Sequence, residues 1–220
     1  MEKVTLRQKL RPFYHFIKNF RNNVILRPFW GHMALSARLE CHVRRDTAKK
    51  IFMYKDTVIL GKSTKFIISP IGDDGNFIIK KHAGISHGFT VITGNHAVFP
   101  KIGHWCREAM ADHLEDEDND VVVEEDVWIG ANVTITSGVI VGRGSIIGAG
   151  AVLRNSVPPY SLVIGNPAKV VGFKFTPEEV IEHEKILYPK EERLSLQILE
   201  KNYNKYFINR IKEIKEFSKI

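Results

Sequence analysis

Six consecutive hexapeptides fill residues 123–158: VEEDVW, IGANVT, ITSGVI, VGRGSI, IGAGAV and LRNSVP. The first position is always Val, Ile or Leu, and the fifth is always Val, Ser or Ala. One aliphatic residue in every six is typical of short strands that each bury one side chain in a shared core, with small residues at the corners between strands. Three such strands complete a triangular coil, and successive coils stack as parallel strands about 4.8 Å apart. The repeat therefore predicts an all-β solenoid.

The same spacing recurs upstream, at Leu60, Phe66, Ile79, Ile85 and Val91. A helix is a poor alternative over residues 123–158, since six glycines would lie in its interior at a cost of about 1 kcal/mol each. Between residues 98 and 120 the spacing is lost and the composition turns acidic. Solenoids tolerate insertions at their corners, so we expect a loop there.

Downstream signals mark where the solenoid ends. Pro158 and Pro159 stop the strand pattern, because proline cannot continue a hydrogen-bonded ladder. Thr176, Pro177 and Glu179 have the spacing of a helix start. A second helical pattern runs from about residue 192 to 219, with an apolar stripe at Leu199, Tyr203, Phe207, Ile211 and Ile214. We expect three parts: a basic N-terminal extension over residues 1–57, a β-helix over residues 58–173 with a loop inserted at about 97–120, and a C-terminal helical segment over residues 174–220.

The composition is that of a globular protein, with 44% apolar and 26% charged residues among 220, which excludes wholesale disorder. No apolar run is long enough to predict a membrane-spanning helix. Two cysteines cannot build a disulfide framework and suit a reducing compartment, so we expect a cytoplasmic protein.

The net charge of +7 comes without a nucleic-acid-binding motif, and we expect no nucleic-acid partner. The basic, aromatic stretch at residues 10–16 is compatible with peripheral contact at the anionic inner face of a membrane.

Three features together resemble one family: the hexapeptides, the VWIG step at residues 127–130 and the closing GNPAK segment at residues 165–169. They are similar to the left-handed β-helix acyltransferases, particularly the sugar, polysaccharide and antibiotic O-acetyltransferases that use acetyl-CoA. The resemblance covers roughly residues 58–187. It implies a left-handed parallel β-helix, a homotrimer with active sites in the clefts between adjacent β-helices, acetyl-CoA beside the later coils, and a carbohydrate hydroxyl as the acceptor, in a polysaccharide or a sugar precursor.

The resemblance also implies a catalytic base. The family's histidine follows a repeat strand at the start of the inserted loop, commonly in a Gly-Asn-His run, and the matching run here is VITGNH at residues 91–96. His96 is thereby assigned as general base, with Asn95 and His87 beside the acceptor. A neutral imidazole, with a pKa of about 6.5, can take the proton of a hydroxyl that attacks the acetyl carbonyl directly. Neither Cys41 nor Cys106 lies in a nucleophile motif, which favours direct transfer over a covalent acyl-enzyme. A purely structural histidine at the loop start is the alternative for His96.

Six residues match positions that contact acetyl-CoA in the family: Trp128, Ala131, Ala149, Arg154, Asn155 and Lys169. The tryptophan matches a residue that lines the cleft near the acetyl group, where it also meets the acceptor. The two alanines match small positions at which the pantetheine arm approaches the backbone. The last three match the nucleotide and phosphate end, where cations attract phosphates. Asn155 departs from the family, which often has lysine there, and this weakens its assignment.

A metal site is the competing interpretation. His82 and His87 are five residues apart, similar to the histidine pair with which the γ-class carbonic anhydrases of this fold bind zinc. A catalytic zinc ion usually needs three protein ligands, and no histidine lies between His42 and His82 to supply the third. The histidines and the cysteine of the loop, His104, Cys106 and His113, match no standard metal spacing. We therefore expect no metal. A serine or antibiotic acetyltransferase, a zinc lyase and a non-catalytic scaffold stay open as alternative functions.

Overall fold

The computed structural model describes residues 20, 24–41, 43–61, 63–68, 73–94, 102–105, 108 and 118–217. Short strands dominate it: β1 (His32–Met33), β2 (Arg38–Leu39), β3 (Ile51–Met53), β4 (Val58–Ile59), β5 (Lys65–Ile67), β6 (Phe77–Ile79), β7 (Gly84–Ile85), β8 (Thr90–Ile92), β9 (Val121–Val123), β10 (Trp128–Ile129), β11 (Thr134–Ile135), β12 (Ile140–Val141), β13 (Ile146–Ile147), β14 (Val152–Leu153), β15 (Ser161–Ile164) and β16 (Lys169–Phe173). The α-helices are α1 (Arg45–Ala48), α2 (Pro177–Leu187), α3 (Leu196–Tyr206) and α4 (Ile211–Phe217), with 3₁₀ turns at Arg27–Phe29, Lys190–Glu192 and Ile208–Arg210.

The strands form the three faces of a prism. Sheet A has the order β1-β3-β6-β9-β12, sheet B the order β16-β15-β13-β10-β7-β4-β2, and sheet C the order β14-β11-β8-β5. The chain passes from sheet A to B to C in each coil, and the ladders between coils are parallel, whereas β16 pairs antiparallel with β15. This is a left-handed parallel β-helix followed by α-helices, and the predicted fold class is confirmed.

The hexapeptide repeat supplies the core of the prism. Its first positions are fully buried: Val123, Ile129, Ile135, Val141, Ile147 and Leu153. Its fifth positions are at most 1% exposed in the first five hexapeptides: Val127, Val133, Val139, Ser145 and Ala151. The one polar member of this core, Ser145, hydrogen-bonds the carbonyl of Pro158 at 3.0 Å and the hydroxyl of Ser161 at 3.1 Å. The buried hydroxyl is therefore satisfied by the next coil.

The ladder begins earlier than the sequence pattern predicts. The first strand, β1, pairs with β3, so coiling starts at His32 inside the predicted extension and not at residue 58. Helix α1 replaces the third strand of this first coil, which breaks the six-residue spacing and hides the coil from a repeat search. The inward residue of β4 is Ile59, which is fully buried opposite Ile85, so the frame predicted at Leu60 is one residue too late. Residues 10–16, whose composition is compatible with peripheral membrane contact, lie outside the described residues.

The helical segment packs on the last coil. Helix α2 begins at the predicted capping box, in which the Glu179 amide donates to Thr176 Oγ1 at 3.3 Å and the Thr176 amide donates to Glu179 Oε2 at 2.8 Å. The predicted second helix is divided into α3, a 3₁₀ turn and α4, because the backbone at Phe207 leaves helical geometry (φ −122°, ψ −66°). Within the predicted stripe, Leu199 and Ile214 are buried. None of the described helices is long and apolar enough to cross a membrane.

A buried carboxylate connects α2 to the solenoid. Glu184 is fully buried, and its Oε1 accepts from the Tyr160 hydroxyl at 2.9 Å and from Arg143 Nη1 at 3.2 Å. Its Oε2 accepts from the Leu194 amide at 2.6 Å. The Arg143 guanidinium also lies over the ring of Tyr188 at 4.1 Å. Burial raises the pKa of Tyr188 to about 12 and raises that of Tyr160 further, so both phenols stay protonated.

Candidate active site

Equivalent residues of successive coils stack at the corner between sheets B and C. The registers of β7, β10, β13 and β15 align these strands, and the four residues that follow at equivalent places are His87, Ala131, Ala149 and Gly165. The Asn132 amide donates to the His87 carbonyl at 2.9 Å, and the Gly150 amide donates to the Ala131 carbonyl at 2.8 Å. We call these four residues the corner column. The structure thus brings together His87, Ala131 and Ala149, which the sequence analysis assigned to the acceptor and to acetyl-CoA.

Beyond His87, the corner column carries only small residues, Ala131, Ala149 and Gly165. Ala131 is half-buried and Ala149 is exposed. Next to them the coils approach so closely that a Cβ placed on Gly130 would lie 2.7 Å from the Ala149 nitrogen. A narrow, unbranched ligand chain can therefore lie along this corner, where a larger side chain would exclude it.

Trp128 stands beside the corner column on the outer face of sheet B. It is 54% exposed, and its ring covers Gly84 of the preceding coil, where an added Cβ would lie 2.9 Å from Cε3 and Cζ3. Sequence reasoning missed Gly84 as a site residue. One sequence signal could have identified it: Gly84 has no side chain at a strand position where the next two coils have large ones, Trp128 and Ile146.

Lys169 lies where β16 follows the last coil, and α4 covers it. Its Nζ is 3.1 Å from Glu213 Oε1 and 5.3 Å from the centroid of the Phe217 ring. The same ring lies against the end of the corner column, because a Cβ on Gly165 would be 3.0 Å from Phe217 Cζ. Sequence reasoning missed this contribution of α4, since nothing in the local pattern near Glu213 or Phe217 indicates the contact.

Arg154 and Asn155 lie at a different corner. Both are exposed and follow β14, where the chain turns from sheet C towards sheet A. Sheet C separates them from the corner column. Within one chain, the structure does not bring these two residues together with Ala131, Ala149 and Lys169.

The inserted loop begins and ends at this same corner between sheets C and A. Thr93 follows β8 and Asp118 precedes β9, and the two meet at Gly75, where an added Cβ would be 3.4 Å from Thr93 Oγ1 and from Asp118 Cβ. Thr93 is fully buried, and its hydroxyl has no hydrogen-bond partner among the described residues. Asn95 and His96 follow it in the chain and lie outside the described residues.

The histidines considered for zinc do not converge. His82 lies at the corner between sheets A and B, with φ 62° and its Nδ1 3.7 Å from Asp56 Oδ2. His87 lies at the other end of β7, in the corner column. Within the described ranges there is no group of three His, Cys, Asp or Glu side chains that could hold a metal ion. Of the loop residues, His104 is 3.7 Å from Glu108, whereas Cys106 and His113 lie outside the described residues.

The environment of Cys41 is unsuited to nucleophilic catalysis. The residue is 7% exposed, and burial raises the pKa of its thiol to about 12. A thiol attacks as its thiolate, so Cys41 is held in its unreactive form near neutral pH.

Comparisons with known proteins identify the same repeat. The family model for bacterial transferase hexapeptides (six repeats) matches residues 120–155, and no curated protein matches the chain. Among solved structures, the hexapeptide-repeat-containing acetyltransferase VCA0836 from Vibrio cholerae is 25% identical, with 66% of this chain and 75% of that chain covered and a TM-score of 0.52. The same acetyltransferase complexed with acetyl coenzyme A, from Vibrio cholerae O1 biovar eltor, is 20% identical, with 79% and 92% covered and a TM-score of 0.55. A maltose O-acetyltransferase from Clostridium difficile 630 is 21% identical, with 66% and 71% covered and a TM-score of 0.46.

Proposed function

Since the chain belongs to the hexapeptide-repeat acyltransferases of the left-handed β-helix fold, we propose that it transfers the acetyl group of acetyl-CoA to a carbohydrate hydroxyl. The observation that carries the proposal is the corner column. It offers small side chains on successive coils, at Ala131, Ala149 and Gly165, with the half-exposed ring of Trp128 beside it. The pantetheine arm is a narrow chain with amide groups, and this surface suits it.

Each assigned residue has its own role in the proposed reaction. His96 takes the proton of the acceptor hydroxyl while the hydroxyl oxygen forms a bond to the acetyl carbonyl carbon. When the carbon–sulfur bond breaks, protonated His96 returns that proton to the departing thiolate of CoA. Asn95 and His87 orient the acceptor, and Trp128 lines the cleft. The raised pKa of Cys41 supports direct transfer, because the buried thiol is not available as an acyl carrier.

The arrangement of corners supports a homotrimer with shared sites. The inserted loop, which includes His96, leaves the solenoid between sheets C and A, whereas the corner column lies between sheets B and C. Arg154 and Asn155 share the corner of the loop. In the trimer that we propose, the loop corner of one prism packs against the corner column of the next, and one cleft then contains all the assigned residues.

The exposed surface beside the column supports a carbohydrate acceptor. The exposed Trp128 ring offers an apolar face of the kind on which a sugar ring can stack, and the exposed His87 of the corner column is polar. Serine, an antibiotic hydroxyl and an amine are the competing acceptors. We place the enzyme in the cytoplasm, in keeping with its two cysteines.

The test is acetyl-CoA turnover, followed as thiol release, with a panel of sugars, sugar nucleotides, serine and antibiotics. We expect His96→Ala to lower kcat by about 10²–10⁴ without changing acetyl-CoA binding. His104→Ala is the matched control, because it removes an exposed histidine of the same loop, and its kcat should stay within about twofold.

Wild-type turnover by His96→Ala would remove His96 from the role of base. One stoichiometric zinc per purified chain would favour the lyase. Absence of acetyl-CoA binding in calorimetry would favour a non-catalytic scaffold over both the acetyltransferase and the zinc lyase.

A further inference from the structure

The corner column ends beneath the C-terminal helix of the same chain. Gly165 is the last of its four residues, and the Phe217 ring packs directly against it. The neighbouring Val170 carbonyl accepts a hydrogen bond from Arg210 Nη1 at 3.4 Å, so the segment before α4 is attached to β16 as well. A ligand lying along Ala131 and Ala149 would meet α4 as soon as it passed the last coil.

Two cations and one carboxylate lie at this end of the corner column. Lys169 Nζ donates to Glu213 Oε1 at 3.1 Å. Arg210 holds the same carboxylate by two contacts, from Nε to Oε2 at 3.0 Å and from Nη2 to Oε1 at 3.1 Å. Hydrogen bonds from Arg210 and then Lys169 lower the pKa of Glu213 to about 2, so the carboxylate stays charged at neutral pH.

This geometry is that of an anion site already occupied by an anion. A guanidinium that binds a carboxylate through two parallel hydrogen bonds can bind a phosphate in the same way, and an ammonium group adds a third donor. Lys169 and Arg210 carry two positive charges against the single charge of Glu213, and the side chain of Glu213 is about half exposed at 48%. A phosphate group can therefore reach the cations from solvent and can bring more negative charge than the carboxylate does.

The family resemblance already assigns Lys169 to the phosphate end of acetyl-CoA; we propose that Arg210 completes this site, and that Glu213 and Phe217 of α4 occupy it when the cosubstrate is absent. The inference rests on the proposed function, because it is the pantetheine arm along Ala131 and Ala149 that carries the phosphates towards Lys169. Binding exchanges the contacts of Glu213 with both cations for contacts of the phosphates and moves Phe217 off Gly165. The helix α4 thus competes with acetyl-CoA and sets its affinity.

The test compares two glutamine variants of α4. Glu213→Gln removes the competing charge, and we expect it to tighten acetyl-CoA binding by about three- to tenfold in calorimetry, because the three charge-assisted hydrogen bonds of the carboxylate no longer have to be replaced. Glu216→Gln is the matched control, because this exposed residue is on the same helix and changes the net charge equally. Its affinity should be unchanged. Lys169→Gln should weaken binding by about tenfold.

Acetyl-pantetheine, which lacks the nucleotide and its phosphates, separates the two proposals. Its affinity should be the same in the wild type and in Glu213→Gln. Amide hydrogen exchange of residues 211–217 should accelerate when acetyl-CoA is added and stay unchanged with acetyl-pantetheine. Equal acetyl-CoA affinities for Glu213→Gln and Glu216→Gln, with acetyl-pantetheine still bound, would overturn the competition by α4 and leave the proposed function standing. A wild-type chain that binds neither compound would overturn the proposed function.

Discussion

At Gly84, a missing side chain determines where an indole ring lies. Trp128 covers Gly84 so closely that even a methyl group would lie 2.9 Å from two ring atoms. These atoms belong to a side chain that is 54% exposed, and an exposed ring can move out, whereas a backbone neighbour could not. The position of Trp128 in the proposed cleft is thus set by the coil before it.

Gly84→Ala should therefore change the site without unfolding the coil. We expect a loss of stability below about 1 kcal/mol, a change in the fluorescence of Trp128 and at least a fivefold rise in the KM of the acceptor. The same Gly84→Ala change is also made in a Trp128→Phe variant. The part of the emission change that is lost there comes from Trp128. Gly172→Ala is the control, because its Cβ would be an ordinary 3.6 Å from Leu162 Cδ1. An unchanged emission spectrum and KM in Gly84→Ala would contradict the inferred position of the ring.

Cys41 gives a second prediction at this scale. With its pKa raised to about 12 by burial, its thiolate fraction at pH 8 is about 10⁻⁴, against roughly a quarter for an ordinary thiol with a pKa near 8.5. In a Cys106→Ser variant, Cys41 should react with a thiol-specific disulfide reagent only after denaturant is added. The rate of absorbance change before and after denaturation measures this. Rapid labelling of the native protein would mean that the thiol is accessible and would reopen the acyl-enzyme route.

At the scale of elements, the carboxylate of Glu184 holds α2 to the solenoid. Glu184→Ala would leave the buried Tyr160 hydroxyl without its acceptor and the Arg143 guanidinium, which is 14% exposed, with one fewer partner. We expect a loss of about 3–5 kcal/mol in the free energy of unfolding, measured by urea titration. Glu182→Ala, an exposed position on the same helix, should change it by less than about 0.5 kcal/mol. A similar small effect in both variants would show that the network contributes little.

The elements also show which features a sequence can predict. Six hexapeptides specify their coils because each one buries its own aliphatic residue, such as Val123 or Ile147, and this local requirement is visible as spacing. The first coil could not be predicted in this way, because the helix Arg45–Ala48 takes the place of a strand and removes the spacing.

The candidate site likewise has one part that the repeat predicts and another that it does not. Ala131 and Ala149 share a column because the repeat fixes their register, so the sequence was sufficient to place them together. The contact between Lys169 and Glu213 joins residues 44 apart, and it depends on how α4 packs on the last coil. No sequence periodicity encodes such a packing. The packing of α4 against the end of the corner column could therefore be seen only in the structure.

For the whole molecule, the separation of corners leads to a prediction about assembly. Parallel strands stack about 4.8 Å apart along the prism axis, so a long ligand lies along one corner, and residues of another corner reach it only from a second prism. A homotrimer of the 25.1 kDa chain then has three equivalent clefts, each using the loop of one subunit and the corner column of the next. Sedimentation should give about three times the chain mass.

Mixed trimers test whether the clefts are shared. His96→Ala lacks the base, and Ala149→Phe fills the exposed corner column, so each homotrimer should be inactive. After the two variants are unfolded, mixed in equal amounts and refolded, a cleft is intact when its loop comes from Ala149→Phe and its column from His96→Ala. Random assembly gives this combination in about one quarter of the clefts, and turnover should recover to about that fraction of the wild type. A site built within a single chain would have one lesion in every subunit, and the mixture would then stay inactive although each variant sediments as a trimer.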